Sequence, residues 1–581
     1  MKYFEENWVV TMRSGDTGEL IRRFDISQML ARILWSRGFR TEEAVDAYLY
    51  GGDSITWPQL EGANRFVSVM REAIAEGGRF RVIGDYDVDG VTGTYLAVTA
   101  LRSCGVTVDY RIPDRVEDGY GISERMVREA ADDGIKTIVT VDNGIAAIEQ
   151  CALAKELGMR VVVTDHHEPK PVLPQTDCTI DPKASSQAEQ YGNLCGAVVA
   201  AILMDNLLAT YGMDGYCDRM IEVLAIATLC DVMDLTGIAR DILRNCLRKP
   251  VSEWNRGLQA LFEANELHKA PRPYDLGFVI GPCINALGRL ETADLGVEML
   301  MTDDPAKRTE YARRMVDVNR ERKAQTEQYT ADAIRAAEEM LLKEDCPVLV
   351  LYLPECHESI VGIVAGRVRE KFNRPTIVLT DTAKDDGMVK GSARSIDSFH
   401  LVNALQAREA LLDHFGGHAK AAGMSLKKEN IEPLRRAMAE EFVKAGATTT
   451  LKVEIDLVIP FSCIDLNFVS EIEQMEPFGN GNRTPLFATK NAQVLRISRR
   501  GTGGKIAALQ LRDEQGSVIR GICFDGAEFL SQFEETFGFE AMDEAEAGRG
   551  TGKITVLYNI QRNSYNGESY PEIVIRGYRF G

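Results

Sequence analysis

Short apolar runs alternate with amphipathic segments between residues 79 and 181. The runs are FRVIG, VTVDYRI, KTIVTV, RVVVT and CTI, and the segments between them carry apolar residues at helical spacing and close with glycine. Continuous β-branched runs are typical of strands that are buried on both faces of a sheet. The pattern therefore predicts a doubly wound α/β domain with a parallel sheet.

Further elements follow along the chain. Residues 304–342 contain many good helix formers and no glycine or proline after Pro305, which predicts one long helix. The strand and helix alternation restarts at Pro347 and indicates a second α/β domain. The last part has short alternating runs separated by glycine-rich turns, which favours a small antiparallel barrel or sandwich. We expect its acidic stretch, EETFGFEAMDEAEAG, to form a surface loop.

Composition limits the class of protein. A chain of 581 residues is long enough for about three or four domains. No apolar stretch approaches the roughly 20 residues of a membrane span, and MKYFEENWVV lacks the layout of a signal peptide, so we expect a cytoplasmic protein without membrane contact. The twelve cysteines form no C-x-x-C pair, which argues against a zinc ribbon. The net charge of −20 argues against general polyanion binding but allows a local basic groove.

Three of the predicted strands end in acidic residues. In an open parallel sheet the carboxyl ends of neighbouring strands converge on one edge, where ligands bind. We therefore expect the side chains in DYDVDG, DNG and DHH to meet in space. They are Asp85, Asp87, Asp89, Asp142, Asp165, His166 and His167.

A close cluster of carboxylates repels itself unless cations neutralise it. Carboxylate oxygens suit Mg²⁺ and Mn²⁺, and imidazole shifts the preference toward Mn²⁺ or later transition metals. Asp231, which follows the apolar run VLAIATL, is a fourth candidate contributor. Two such ions activate a water and stabilise both oxygens in phosphodiester cleavage. Any one of these acids alone is better explained as a helix N-cap, and only their joint occurrence favours metal binding.

The order of the motifs resembles a known family. DYDVDG, VDNG, DHH and CDVMD are similar to the four motifs of DHH phosphoesterases, and FGGHAKAAGMSL is similar to the glycine-glycine-histidine signature of their associated domain. The aspartate triplet, together with IPDRVEDGYGI, NALGRL, GSARS and the predicted barrel, resembles the branch that degrades single-stranded DNA. The likeness runs from about residue 50 to the end of the chain.

The resemblance implies a division of the chain into five parts. An N-terminal segment precedes a doubly wound parallel-sheet DHH catalytic domain, a long connecting helix, a second α/β DHH-associated domain and a C-terminal OB-fold-like β-barrel that binds nucleic acid. The expected boundaries are 1–50, 51–300, 301–342, 343–447 and 448–581.

The resemblance also implies two metal ions, Mn²⁺ or Mg²⁺, as cofactors. His167 is expected beside the reacting phosphate, where it acts in catalysis with Asp85 and Asp89. The implied ligands are Asp87, Asp142, His166 and Asp231 for one ion, and Asp85, Asp89 and the bridging Asp142 for the other.

Substrate-binding residues are implied in the same way. The guanidinium group offers a planar fork that matches phosphate, and the hydroxyl of serine adds a neutral donor. An ordinary surface salt bridge explains a single arginine equally well, and a tight turn explains paired glycines. By likeness, a pocket for the 5′ end contains Arg115, Arg289, Ser392 and Arg394, and a substrate-facing loop contains Gly416, Gly417 and His418.

These features predict a metal-dependent exonuclease. It would hydrolyse the phosphodiester bonds of single-stranded DNA from the 5′ end to mononucleotides, in DNA repair and recombination. The alternatives are a phosphodiesterase for short oligonucleotides or cyclic dinucleotides, and an inactive DNA-binding scaffold. Besides single-stranded DNA, the expected partners are a single-strand-binding protein and a helicase, and the expected state is a monomer. A channel too narrow for duplex would explain the preference for single strands.

Some features leave two interpretations open. Arg313, Arg320 and Lys323 share one face of the long helix, which either follows a nucleic-acid backbone or is simply solvated. In the predicted barrel, the candidates for base stacking also suit a hydrophobic core. They are Phe487, Tyr558, Tyr565 and Tyr578.

The chain departs from the family pattern at three places. Asp234 stands where many members have proline, Cys356 precedes His357 where Trp-His is common, and Ile83 stands where some relatives have histidine. None of these changes removes an expected metal ligand, but Cys356 makes the surroundings of His357 differ from the family pattern.

Overall fold

A computed structural model describes residues 3–115, 118–382, 387–501 and 504–580. The chain forms two compact units. The larger unit comprises Gly52–Thr449 and Gly479–Gly481, and the smaller unit comprises Met1–Gly51, Thr450–Phe478 and Asn482–Gly581. Among the described residues, no helix combines the length and apolar character that crossing a membrane requires.

Both units contain β-structure. The strands are, in chain order, β1 (Glu6–Val10), β2 (Arg79–Ile83), β3 (Thr107–Arg111), β4 (Ile135–Val141), β5 (Arg160–Thr164), β6 (Cys178–Ile180), β7 (Leu349–Tyr352), β8 (Thr376–Asp381), β9 (Met388–Arg394), β10 (His414–Gly417), β11 (Ala421–Lys427), β12 (Leu451–Ile455), β13 (Leu457–Val458), β14 (Phe487–Arg500), β15 (Ile506–Arg512), β16 (Val518–Cys523), β17 (Lys553–Tyr565) and β18 (Glu568–Phe580).

Helices lie between these strands. They are, in chain order, α1 (Gly18–Phe24), α2 (Gln28–Ser36), α3 (Glu42–Leu49), α4 (Ala63–Glu76), α5 (Val88–Ser103), α6 (Glu124–Asp132), α7 (Ile148–Glu156), α8 (Ala188–Tyr191), α9 (Gly196–Ala209), α10 (Tyr216–Arg219), α11 (Ile221–Cys230), α12 (Gly237–Arg248), α13 (Arg256–Ala264), α14 (Pro273–Asp275), α15 (Gly281–Leu290), α16 (Asp294–Met301), α17 (Pro305–Lys343), α18 (Val361–Phe372), α19 (Leu401–Gln406), α20 (Ile431–Lys444), α21 (Leu466–Gln474), α22 (Gly526–Phe537) and α23 (Phe539–Glu546).

The first sheet of the larger unit confirms the predicted doubly wound domain. Its strands lie in the order β3-β2-β4-β5-β6, and every neighbouring pair is parallel. The central strands are mostly β-branched or aromatic and are buried along almost their whole length, since helices cover both faces. The carboxyl ends of β2, β4 and β5 therefore lie side by side on one edge.

The long helix and the second α/β domain are also present in the larger unit. Helix α17 spans 39 residues, or about 58 Å at the usual rise. It begins at Pro305 because Asp304 caps it, accepting hydrogen bonds from the backbone of Ala306 and Lys307. The second sheet has the order β10-β11-β9-β8-β7, in which only β7 and β8 are parallel. Its core lies between this sheet, α19 and α20.

The smaller unit contains a closed five-stranded barrel, as expected for an OB-fold. Strands β14, β15, β16, β18 and β17 pair in that order, and β17 pairs back with β14. The first fifty residues belong to this unit, where β1 pairs in parallel with β12. The prediction that the acidic stretch EETFGFEAMDEAEAG forms a loop is wrong, because most of it lies in α22 and α23. Met542 and Ala545 lie one helical turn apart in α23, and Phe529 and Phe533 lie one turn apart in α22. All four are buried in the barrel core.

The aromatic residues of the barrel divide between core and surface. Phe487 and Tyr558 are fully buried, and the Tyr558 hydroxyl lies 2.8 Å from that of Thr489. Tyr578 is partly buried and packs on the core. Only Tyr565 of the four candidates is largely exposed, at 70%. The core interpretation is therefore correct for Phe487 and Tyr558.

Candidate active site

Side chains from three neighbouring strand ends meet at one edge of the first sheet. Asp85 follows β2, Asp142 follows β4 and Asp165 follows β5, and β4 pairs with both other strands. All three residues are almost completely buried. The predicted convergence of the acids is confirmed. Asn143 holds the loops together, because its amide donates to the carbonyl oxygens of Ile83, Gly84 and Val141 at 2.9–3.0 Å.

Two more acids come from the start of α5. Asp87 is its N-cap and accepts a hydrogen bond from Gly90 N at 3.1 Å. Asp89 lies in the first turn and accepts from the N-terminus of α9, at 2.7 Å from Gly196 N and 2.9 Å from Ala197 N. Residue 196 must be glycine, since a Cβ there would lie 2.6 Å from the Cβ of Asp142. The close approach of α9 thus fixes Asp89 beside Asp142.

Donor atoms from these segments form groups that suit metal ions. His166 Nε2 lies 3.1 Å from Asp142 Oδ1, 3.5 Å from Asp231 Oδ2 and 3.6 Å from Asp89 Oδ2. Within each group, the donor atoms lie within 4.8 Å of one another. The groups are Asp89, His166 and Asp231; Asp85, Asp87 and Asp142; and Asp142, His166 and His167.

The grouping differs from the one implied by the family resemblance. Asp89, not Asp87, groups with His166 and Asp231, while Asp87 groups with Asp85 and Asp142. The reason is the orientation of α5. Asp87 turns back to cap its own helix, whereas Asp89 faces α9 and the histidine. Asp142 groups with Asp85 and Asp87 and also with His166 and His167, which agrees with a ligand shared by two ions.

The electrostatics of the cluster fit divalent cations. Asp85 Oδ1, Asp142 Oδ1, Asp231 Oδ2 and both ring nitrogens of His166 are buried without a hydrogen bond within the described residues. Burial, followed by the charge of Asp89, raises the pKa of Asp142 well above its usual range and that of Asp231 to about 9. Burial lowers the pKa of His166 to about 4, so its imidazole is neutral. Neutral imidazole and crowded carboxylates are the donor set that Mn²⁺ and Mg²⁺ accept.

Two contacts orient His167, which also belongs to the third donor group. Its Nδ1 lies 2.8 Å from Asp165 Oδ1 and 2.9 Å from the hydroxyl of Tyr120. Although burial opposes it, the bond to Asp165 raises the pKa of His167. Asp165 is itself fixed by the backbone amides of Ile145 and His166, each at 2.8 Å. Asp165 therefore orients the histidine, as carboxylates commonly do.

A cavity of about 710 Å³ lies between the first domain and the second sheet of the larger unit. Tyr120 lines this cavity, and its hydroxyl donates to the backbone carbonyl of Asp142 at 2.8 Å. The cavity therefore borders the acid cluster. Four predicted substrate-binding residues line it together: Arg115, Arg289, Ser392 and Arg394.

The three arginines give the cavity a positive charge. Arg394 donates to Ser392 Oγ at 2.9 Å, Arg289 donates to the carbonyl of Ser359, and Arg115 lies over the ring of Tyr86 at 4.7 Å. Among the described residues, none of the three forms an ion pair with a carboxylate. Burial, followed by the charge of Arg115, lowers the pKa of Arg289 to about 9. This mutual repulsion is relieved by a bound anion such as phosphate.

The glycine-glycine-histidine segment only partly meets the prediction. Gly416 lines the cavity, but Gly417 and the exposed His418 do not. His418 N instead donates to the carbonyl of Ala421 at 2.7 Å, closing the β10-β11 turn. His414 and Phe415, at the start of β10, line the cavity together with Gly416.

Other lining residues were missed from the sequence. Lys390 and Glu358 line the cavity and form an ion pair at 3.0 Å. His357 Nδ1 lies 2.7 Å from Ser359 Oγ, next to the carbonyl that Arg289 contacts. Lys390 lies two residues before Ser392 of the recognised GSARS motif, so strand alternation was the available signal.

Comparison with protein-family models agrees with this architecture. The N-terminal domain of the DHH family matches residues 79–228. The DHHA1 domain matches residues 345–445, and the RecJ OB domain matches residues 455–577. The three matches together define a DHH phosphoesterase with an additional OB domain.

Relatives and solved structures narrow the assignment. The single-stranded-DNA-specific exonuclease RecJ of Escherichia coli (strain K12) is 32% identical over 486 residues, covering 80% of this chain and 83% of the relative. The protein of the same name from Bacillus subtilis (strain 168) is 31% identical over 572 residues, covering 96% of this chain and 68% of the relative. The crystal structure of RecJ in complex with Mn²⁺ from Thermus thermophilus has a TM-score of 0.82 and 25% identity, and the match covers 99% of this chain and 80% of that one. The chain belongs to the RecJ family.

Proposed function

We propose that the protein is a metal-dependent exonuclease that degrades single-stranded DNA from its 5′ end and releases mononucleotides, in DNA repair and recombination. The observation that carries the proposal is the position of Tyr120. It lines the arginine cavity and contacts both Asp142 and His167. A phosphate held by the arginines would therefore lie next to a site suited to phosphodiester hydrolysis.

Asp89, His166 and Asp231 would hold one ion, Asp85 and Asp87 the other, and Asp142 would be shared. When bound, two such ions activate a water and stabilise the attacking and leaving oxygens. The residues of the chain supply orientation. Asp165 and the hydroxyl of Tyr120 both contact Nδ1 of His167 and fix its ring. His167 can then donate a hydrogen bond to a phosphate oxygen in this position.

The cavity favours the end of a strand over its middle. A terminal phosphate carries more negative charge than an internal diester and has more oxygens free to accept hydrogen bonds. Three guanidinium groups without carboxylate partners among the described residues match that charge. A 5′-terminal phosphate in the cavity would present the next phosphodiester to the acid cluster. This arrangement explains release of one nucleotide at a time.

The test is product analysis on one single strand labelled at either end, with Mn²⁺ present. A 5′ label should appear at once as a mononucleotide, whereas a 3′ label should move gradually to shorter fragments. Early release of the 3′ label would refute the polarity. Faster hydrolysis of a dinucleotide than of a long strand would instead favour the alternative enzyme for short oligonucleotides.

We also infer the partners from the substrate. Chromosomal DNA is double-stranded, so a strand-separating helicase and a single-strand-binding protein would supply the substrate. Because the acids and the arginine cavity both lie within one chain, a monomer would carry the complete site. Mixing experiments with purified partners and sedimentation of the free protein test these inferences.

A further inference from the structure

Two aromatic rings are stacked on the surface of the larger unit, just before α15. The ring centroids of Tyr274 and Phe278 are 5.1 Å apart, with an interplanar angle of 18°. We propose that these rings form a platform on which bases of the single strand stack beyond the reacting nucleotide. This inference rests on the proposed function, since it assigns a subsite to the same strand.

The rings are strongly exposed for apolar groups of their size. Tyr274 is 58% exposed and Phe278 is 66% exposed. A paired, exposed aromatic surface usually marks a binding site. Every base offers a flat π-face, so stacking on aromatic rings suits a strand of any sequence. The guanidinium of Arg272, which also pairs with Asp275 at 2.9 Å, lies over the Tyr274 ring at 6.0 Å from its centroid.

The platform lies beside a proposed metal ligand. The Cys230 thiol is 4.0 Å from the carbonyl oxygen of Leu276. Residue 281 must be glycine, because a Cβ there would lie 2.1 Å from Cys230 Sγ. The segment that carries the two rings is therefore packed against the end of α11, and the next residue is Asp231. The platform thus borders the acid cluster.

The same segment also reaches the arginine cavity. Asn285, in α15, accepts a hydrogen bond from Val88 N at 3.1 Å, next to Asp87. Arg289, near the end of α15, lines the cavity. Eleven residues separate Phe278 from Arg289, or about 16 Å at helical rise. Stacked bases lie about 3.4 Å apart along a strand, so about five nucleotides would span this distance.

A nucleic-acid strand suits this surface because the rings, the acid cluster and the arginine cavity adjoin one continuous segment. One wall, formed by residues 274–289, carries the exposed rings at one end and the phosphate-binding arginine at the other, with the acid cluster between. A strand whose end occupies the cavity would reach the rings only if it were several nucleotides long. The platform should therefore affect long substrates and not the shortest ones.

The experiment compares oligothymidylates of 20 and 3 nucleotides in Mn²⁺. Replacing both rings, Tyr274→Ala with Phe278→Ala, should raise KM for the 20-mer at least about fivefold, the lower limit for loss of one base stack. Hydrolysis of the trimer should be unchanged. The single change Tyr274→Ala and the ring-preserving pair Tyr274→Phe with Phe278→Tyr separate loss of stacking from loss of folding. The single change should raise KM for the 20-mer, and the ring-preserving pair should behave as wild type.

Tyr211→Ala is the matched control. Tyr211 is also an exposed tyrosine of the larger unit, at 42%, but it follows the far end of α9, about 21 Å from the end that contacts Asp89. A 20-mer KM within twofold of wild type in the alanine variants would overturn the platform, and so would an equal loss on the trimer. A wild-type protein that does not cleave the 20-mer would overturn the proposed function instead.

Discussion

Asp142→Asn is the sharpest test of the shared metal ligand. Asparagine keeps the shape of the side chain and tolerates the left-handed backbone at this position, where φ is 62°, whereas alanine would add strain. Its ligand atoms lie within 4.8 Å of those of Asp85 and Asp87. Two unit charges at that distance repel by about 3 kcal/mol at an effective dielectric of about 20. Because protonation already relieves part of this repulsion, we expect the metal-free variant to gain about 1–3 kcal/mol in free energy of unfolding.

Metal ions should reverse that order of stability. Mn²⁺ at a hundred times its Kd stabilises a protein that binds it only when folded by about 2.7 kcal/mol. Wild type should show this shift, and the variant should lose most of it. The variant should also lose at least about 99% of DNA cleavage, since even changes outside the direct ligands lower metal affinity or activity 10- to 100-fold. Thermal unfolding in EDTA and in Mn²⁺, with cleavage of labelled single strands, measures both effects.

Asp181→Asn is the control for that experiment. Asp181 is a buried acid that follows β6 of the same sheet, but it caps a turn by accepting from Lys183 N at 2.8 Å and belongs to none of the donor groups. Its Mn²⁺ shift should equal that of wild type. An unchanged Mn²⁺ shift in Asp142→Asn would refute the shared-ligand assignment. A metal-free variant that is no more stable than metal-free wild type would refute the reasoning from repulsion.

Four further predictions concern other parts of the molecule. Tyr120→Phe removes the hydroxyl that contacts His167, so kcat should fall about fivefold while KM stays within twofold in steady-state cleavage assays. Arg394→Ala should raise KM about 10- to 100-fold for a 5′-phosphorylated strand and much less for a 5′-hydroxyl strand, measured in parallel. Burial raises the pKa of Asp231 to about 9, so the folded protein keeps a proton on this group that the unfolded chain loses at lower pH. Stability should therefore fall as pH rises toward 9. The melting temperature in EDTA should decrease between about pH 6 and pH 9, and it should decrease less in Asp231→Asn. Tyr565→Ala should weaken single-strand binding at least about fivefold in fluorescence anisotropy.

The sequence pattern was sufficient to place the acid cluster. Parallel strands deliver their carboxyl ends to one edge, so strand assignment alone implied that Asp85 and Asp142 would meet. Asp231 required more, because it follows a helix and not a strand. The apolar run VLAIATL marked it as a candidate, and the family resemblance then implied its place in the ligand set of one ion.

Other features depend on packing that periodicity does not encode. The partner of Asp89 is the N-terminus of α9, about a hundred residues further along the chain, so the division of ligands between the two groups could not be read from spacing. The acidic stretch was wrongly predicted as a loop because its many charges obscure the helical spacing of Met542 and Ala545, which are both buried. His414 was missed because the segment was predicted as a loop, whereas it forms β10, whose first three residues line the cavity.

Helix α15 explains why the two parts of the site occur together. The side chain of Asn285, in α15, accepts a hydrogen bond from Val88 N at the start of α5, next to Asp87 and Asp89. Through Arg289 the helix donates to the carbonyl of Ser359, in the second α/β domain. The arginine cavity therefore depends on the first domain and the second domain being joined, whereas the acid cluster is built by the first domain alone. The proposed binding of a strand end and the proposed hydrolysis would therefore use separate parts of the structure, which α15 connects.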